Sequence, residues 1–302
     1  MAHWSTVDPR LSNEIVTEAA TRHLPALPKA RSARGKSGQS AQTLATPISD
    51  PVQWCRTALD FTPDPVQAEI LRSRAQRLLL CCTRQFGKST ITAIKALHHA
   101  LVHRGSLVLA AAPTERQSGE WMRKTREFLG RLGLKARGDG QNALSLVLPN
   151  GSRLVGLPGV GANIRGFSKA ALVLIDEAAY APDELYQALH PMLAVSHGGL
   201  WLISTPGAQL GFFYEAWARA GALPADAAAW ERFSVTAEQC PRIGAEFLAE
   251  QRIELGDEVF RREYLCEFVA GGEQLISREL IDAALDEDMR AFNGGRPLWG
   301  RG

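Results

Sequence analysis

Residues 77–90, RLLLCCTRQFGKST, carry the densest chemistry in the chain. An apolar run stops at a short loop, and Gly87-Lys88-Ser89-Thr90 opens a predicted helix. A strand that turns tightly into a helix points several backbone N–H groups at one spot, at the positive end of the helix dipole. That is an anion site. In such a phosphate-binding loop Lys88 reaches the β- and γ-phosphates and the Ser89 hydroxyl ligates Mg²⁺. The spacing departs from G-x-x-x-x-G-K-[ST], because Cys82 stands where the first glycine belongs. Gly-Lys-Ser also occurs in ordinary loops, so this stretch alone leaves both readings open.

Three further stretches bear on that choice. Residues 170–175 are an apolar run ending in Asp176-Glu177. A strand-end aspartate facing a phosphate loop holds the metal with Ser89, and the adjacent Glu177 is placed to orient and deprotonate an attacking water. Acidic pairs after strands also serve as plain helix caps, but the loop upstream favours the chemical role. Residues 199–204 form another apolar run, closed by Ser204-Thr205, whose hydroxyls can sense a γ-phosphate and pass on its loss. Gln67, just upstream of the loop, offers an amide able to donate to one adenine ring nitrogen and accept from the exocyclic amine; alternatively it is a surface residue of a helix.

The elements that must position these groups follow from patterning. Asp64 is placed to cap a helix with Pro65 at its first position, after a short helix over 51–59. A helix over 89–102 and a strand over 106–112 come next, then a helix over 114–132 with a basic face of Arg116, Arg123, Lys124, Arg126 and Arg131. That face is either solvated or a nucleic-acid contact. Asn150-Gly151 predicts a hairpin between 144–148 and 153–157, followed by a glycine-rich loop over 159–166. A helix over 211–219, a strand over 232–235 and helices over 245–255, 257–265 and 277–285 complete the series. Short apolar strands alternating with helices predict an α/β fold, a mainly parallel sheet flanked by helices. Ligands then sit at the carboxyl ends of the strands, where the loop, the Asp-Glu pair and the Ser-Thr pair all fall.

Composition excludes several classes. With 45% hydrophobic and 22% charged residues the chain reads as a soluble globular protein, and no apolar run approaches the ~20 residues that span a bilayer. The start lacks the apolar core of a signal peptide, which points to the cytoplasm. A net charge of +2 does not by itself mark a nucleic-acid binder. Five cysteines fit neither a disulfide framework nor a metal site and read as buried thiols, while His98, His99 and His103 lack a carboxylate or cysteine at matching spacing. Residues 1–47 read as a flexible basic arm, with 24–46 rich in Pro, Ser, Ala, Gly and basic residues, either a DNA-phosphate contact or a solvated tail. Its Gly35-Lys36-Ser37 is a decoy without a preceding strand.

Taken in order, PDPVQ, TRQFGKST, NIRG, LVLIDEAAY, LISTP with GFFYEAW, and FRREYLCEF resemble the large terminase subunit of tailed bacteriophages and prophages. The resemblance spans residues 50–285. It implies a P-loop NTPase core of the RecA/ASCE kind over 48–229, a lid subdomain over 230–288 and a tail over 289–302 where a nuclease domain would begin. It also implies that ATP and Mg²⁺ are bound, with Gln67 at adenine, the loop Thr83, Arg84, Gln85, Phe86, Gly87, Lys88, Ser89 and Thr90 around the phosphates, and Ser89 and Asp176 on the metal. Glu177 would be the catalytic carboxylate, Arg84 would respond to the γ-phosphate, and Arg165 of NIRG would act in trans from a neighbouring subunit or else anchor its own loop. Ser204 and Thr205 match the coupling motif.

The implied partners are double-stranded DNA, a portal protein, a small terminase subunit and further copies of the chain in a pentamer-like ring, in the bacterial host cytoplasm and without a membrane. No strand-borne aspartate cluster follows, so nuclease activity is not expected from this chain. A helicase-like translocase shares the loop and acidic pair but needs a second RecA-like domain; a prophage remnant that only binds nucleotide is the remaining alternative.

Overall fold

The computed structural model describes residues 49–159, 164, 166–220 and 230–269. The arm over 1–47, the helix expected over 277–285 and the tail over 289–302 lie outside them, as does most of the glycine-rich loop, Arg165 included. Two short helices come first, α1 (Pro51–Ala58) and α2 (Pro65–Arg72). Strand β1 (Arg77–Cys82) leads through the loop into α3 (Lys88–Val102), then β2 (Leu107–Ala112) and α4 (Glu115–Arg131). The hairpin β3 (Ser145–Val147) and β4 (Arg153–Pro158) precedes β5 (Leu172–Asp176), α5 (Asp183–Leu189), β6 (Gly199–Ser204) and α6 (Gly211–Arg219). Strand β7 (Glu231–Val235) and helices α7 (Ala245–Leu255) and α8 (Asp257–Leu265) close the described chain.

The seven strands form one sheet in the order β3-β4-β2-β5-β6-β1-β7, parallel throughout except for β3. Because successive side chains of a strand face opposite ways, each central strand feeds two cores. Leu78 and Leu80 of β1, Leu172 and Leu174 of β5, and Trp201 and Ile203 of β6 pack with Val52, Ile91 and Trp121 on one face. Leu79, Val173, Ile175, Leu200 and Leu202 pack with Leu185 and Phe213 on the other. Burial on both faces is why these strands read as continuous apolar runs without alternation. Truncating one such leucine to alanine costs about 3 kcal/mol.

Two features differ from the patterning. Helix α5 is short and was not marked by any period. Strand β7, expected within a lid, pairs instead along β1, with Cys82 opposite Val235, and so belongs to the main sheet. Only Val235 of that strand is buried, while Glu231 and Arg232 stand exposed. Charged residues of this kind suit the open edge of a sheet, and they give it the mixed pattern of a satellite strand. Helices α7 and α8 follow; Phe260 and Tyr264 of α8 pack on Ala237, and Leu248 of α7 lies half-buried against them. All five cysteines are buried thiols.

Candidate functional site

The loop after β1 lines a cavity of about 650 Å³ at the carboxyl ends of the strands. Cys82 closes β1 in ordinary extended backbone, its residue paired with Val235, and Thr83 N–H donates to the Val235 carbonyl at 2.9 Å. A glycine is therefore not needed there, which explains the missing first glycine of the motif. The positive φ angles fall later, at Gln85 (62°) and Gly87 (93°). Gly87 caps α3, and its carbonyl accepts from Thr90 and Ile91, so the loop closes onto the helix with Gly87, Lys88 and Ser89 in the cavity wall.

Strand β5 ends in Asp176, Glu177 directly after it lines the same cavity, and β6 lies between β5 and β1. Lys88 Nζ stands 3.4 Å from Glu177 Oε1, with 11% and 24% of the two side chains exposed. Burial works against the charge on Lys88, but Cys82, Glu177 and Asp176 more than offset it and raise its pKa above the ordinary lysine value. Asp176 is pushed up to about 6, by burial first and by the Glu177 carboxylate second, with Lys88 pulling the other way. Glu177 itself sits in the left-handed region at φ 51°, its N–H held by Asp176 Oδ1 at 3.0 Å. A non-glycine residue kept there stores about 1 kcal/mol, a cost typical of functional sites.

Ser204 and Thr205, at the end of β6, stand beside this pair. The Ser204 hydroxyl accepts from Ala179 N–H at 3.2 Å and lies 3.5 Å from Glu177 Oε2. Thr205 Oγ1 lies 3.4 Å from the Tyr180 hydroxyl, which donates to the Pro206 carbonyl at 2.9 Å. Ser204 and Thr205 are thus hydrogen-bonded to the turn that follows β5.

Gln67 is placed differently from a base-reading residue. It is 3% exposed, its Oε1 accepts from Asp64 N–H at 3.2 Å and its Nε2 donates to the Phe86 carbonyl at 2.8 Å. The amide holds the loop instead of facing the cavity. Arg242, which sequence patterning did not single out, donates to the same carbonyl at 2.8 Å and pairs with Asp64 at 2.9 Å.

Arg84 lines the cavity and reaches across to α8, with its Nε 2.5 Å from Glu263 Oε2. Glu263 is 6% exposed, and Thr83 Oγ1 donates to its carbonyl at 3.0 Å. The closing FRREYLCEF segment therefore carries a loop anchor, which its sequence alone did not reveal. Arg165 lies outside the described residues.

A loop-to-helix anion cradle, a strand-end Asp-Glu pair and an intervening strand ending in hydroxyls define a P-loop NTPase-like α/β domain. The family model for the terminase large subunit, T4likevirus-type, N-terminal region, matches residues 80–283. The chain belongs to that family. It is similar to the large terminase subunit of Thermus virus P23-45, 28% identical over 256 residues that cover 72% of this chain and 51% of that one. The chain thus spans about half the length of that relative. The ATPase domain of the Thermus phage P74-26 large terminase superposes with a TM-score of 0.63 at 26% identity, covering 74% of this chain and 99% of the other. The HK97 bacteriophage large terminase shares the fold at a TM-score of 0.61 and 15% identity, over 72% of this chain and 55% of that one.

Proposed function

We propose that this domain binds and hydrolyses ATP, and that within a ring of copies it uses the hydrolysis to drive double-stranded DNA into a procapsid. The observation that carries the reading is the approach of Lys88 to Glu177 in the wall of a cavity of about 650 Å³, roomy enough for a nucleotide, in a chain of the terminase family. Lys88 leaves Glu177 to take up the β- and γ-phosphates. The freed Glu177 carboxylate then orients a water and accepts its proton as the water oxygen attacks the γ-phosphorus, the bond to the β,γ-bridging oxygen breaks and ADP leaves.

Ser89 and Asp176 present hard oxygen donors that suit Mg²⁺, and the burial that raises Asp176 is the kind a dication relieves. When bound, the ion would neutralise charge on the β- and γ-oxygens. Ser204, in contact with both Ala179 and Glu177, is placed to carry the change of state into β6 and α6. Arg165 is assigned to a neighbour's site in trans, where a planar permanent charge suits γ-phosphoryl oxygens. Gln67 and Arg242 are assigned to hold the Phe86 carbonyl, so that they shape the loop. Portal protein, small terminase subunit and host cytoplasm complete the proposal.

The test is Mg²⁺-dependent ATP hydrolysis by the purified chain. Wild-type protein should release phosphate from ATP with Mg²⁺ and not with EDTA, and Lys88→Ala should bind no nucleotide. Absence of nucleotide binding by the wild type would overturn the reading.

A further inference from the structure

Helix α4 brings a second lysine to the nucleotide cavity. Thr114, at its N-cap, and Gln117 and Lys124, along the same stripe, all line the cavity wall opposite the loop. Trp121, Met122, Thr125, Phe128 and Leu129 are buried beneath and fix the rotation of the helix. The arginines of α4 face elsewhere, with Arg116 exposed at its start. Arg123 pairs with Glu120 at 2.7 Å, Arg131 pairs with Glu127 at 2.8 Å, and Arg126 stands on the exposed outer face.

Lys124 is only partly exposed, and among the described residues its ammonium has a single hydrogen-bond partner, Thr90 Oγ1, at a long 3.4 Å. No carboxylate of the described residues lies within ion-pairing distance of it, and Asp176 feels its charge only at longer range. A lysine ammonium carries three donors, and a partly desolvated one without an anion is incompletely satisfied. Thr90 follows directly on Lys88 and Ser89, so an anion that met both the loop and Lys124 would be a phosphate chain, contacted toward its nucleoside end.

We propose that Lys124 is a phosphate-binding residue of the nucleotide site, gripping the phosphates that ADP and ATP share. The proposal rests on the nucleotide-binding reading above and adds a residue to it. It also takes Lys124 out of the basic face considered for nucleic acid, since its ammonium is turned to the cavity. Lys88 and Lys124 then close on the phosphate chain from two elements, α3 and α4, and their common ligand ties the two helices together.

The test is ADP affinity, measured by titration calorimetry on the full chain with no DNA present, with and without Mg²⁺. Lys124→Met keeps the aliphatic stem, Lys124→Arg restores the charge, and Arg126→Ala serves as the outer-face control. Loss of one charge-assisted hydrogen bond should raise the Kd for ADP by about tenfold in Lys124→Met, with and without Mg²⁺. Lys124→Arg should recover most of the affinity, and Arg126→Ala should match the wild type. Unchanged ADP affinity in Lys124→Met would overturn the proposal, and so would a loss confined to Mg²⁺-containing buffer, which would mean that Lys124 acts only through Asp176. Failure of the wild type to bind ADP would instead sink the underlying nucleotide reading. Matching melting temperatures of wild type and Lys124→Met exclude unfolding as the cause; should they differ, the ADP Kd of a second variant that melts with the wild type, Lys124→Gln, decides in the same way, a tenfold rise supporting the proposal and an unchanged Kd overturning it.

Discussion

Replacing Glu177 by glutamine separates two consequences of one contact. The Lys88–Glu177 pair at 3.4 Å has a gross Coulomb attraction of about 5 kcal/mol at an effective dielectric constant of about 20. Desolvation of two largely covered groups offsets most of that and leaves a net of about 1 kcal/mol. Nucleotide binding must break the pair, because Lys88 cannot serve both Glu177 and a phosphate. Glu177→Gln therefore removes a competitor for Lys88 and also a negative charge near the phosphates. ATP should bind about fivefold more tightly, at 1.4 kcal/mol per tenfold. Turnover should meanwhile fall by about 10² to 10⁴, the usual worth of a general base. The side chains have the same shape, so the left-handed backbone at position 177 is unchanged. Binding of a fluorescent ATP analogue, a coupled assay of ADP release and a thermal melt check the three parts. Weaker ATP binding in the variant, or turnover within twofold of the wild type, would refute the reasoning.

Four further outcomes follow. Arg84→Ala should lower stability to urea by about 1–2 kcal/mol, because it strips Glu263, a covered carboxylate, of its 2.5 Å partner; the double variant with Glu263→Gln should recover most of that loss. Gln67→Ala should weaken ATP and GTP to a similar degree, since the amide holds the Phe86 carbonyl; a selective loss for ATP would restore a base-reading role. Glu177→Gly should melt higher than the wild type, by the equivalent of about 1 kcal/mol, while remaining inactive. His99 is lowered to about 4, by burial first and then by His103, Lys95 and His98, so the unfolded chain binds the extra proton between about pH 6.5 and 4. That stability is complete above pH 6.5 and is lost as pH falls toward 4; allowing for partial exposure it amounts to about 1 kcal/mol at pH 5, and the urea midpoint of His99→Gln should drop less between pH 7 and pH 5 than that of the wild type.

Much of the site was legible in the chain before any coordinates, because each part is local. An apolar run ending in Gly87-Lys88-Ser89 has few conformations open to it other than strand, turn and helix, and an aspartate that ends a buried strand is carried to the carboxyl end of the sheet by the same geometry. Asp64 and Pro65 announced the start of α2 through capping chemistry alone. Order in sequence and the six matching segments pointed to the family for the same reason, since motif and spacing survive without knowledge of what pairs with what.

What the tertiary structure decided is what depends on partners far away in sequence. That β6 lies between β1 and β5, and that β7 flanks β1, is a matter of strand pairing, and the polar edge residues of β7 hid it. The inward turn of Gln67 follows from a carbonyl nineteen residues on, and the reach of Arg84 to α8 from a glutamate that no spacing rule connects to it. Lys124 looks in sequence like one more charge on a basic helix. Only the rotation of α4, set by the aromatic and aliphatic residues buried beneath it, sends that ammonium to Thr90 and the cavity while its arginine neighbours face the solvent.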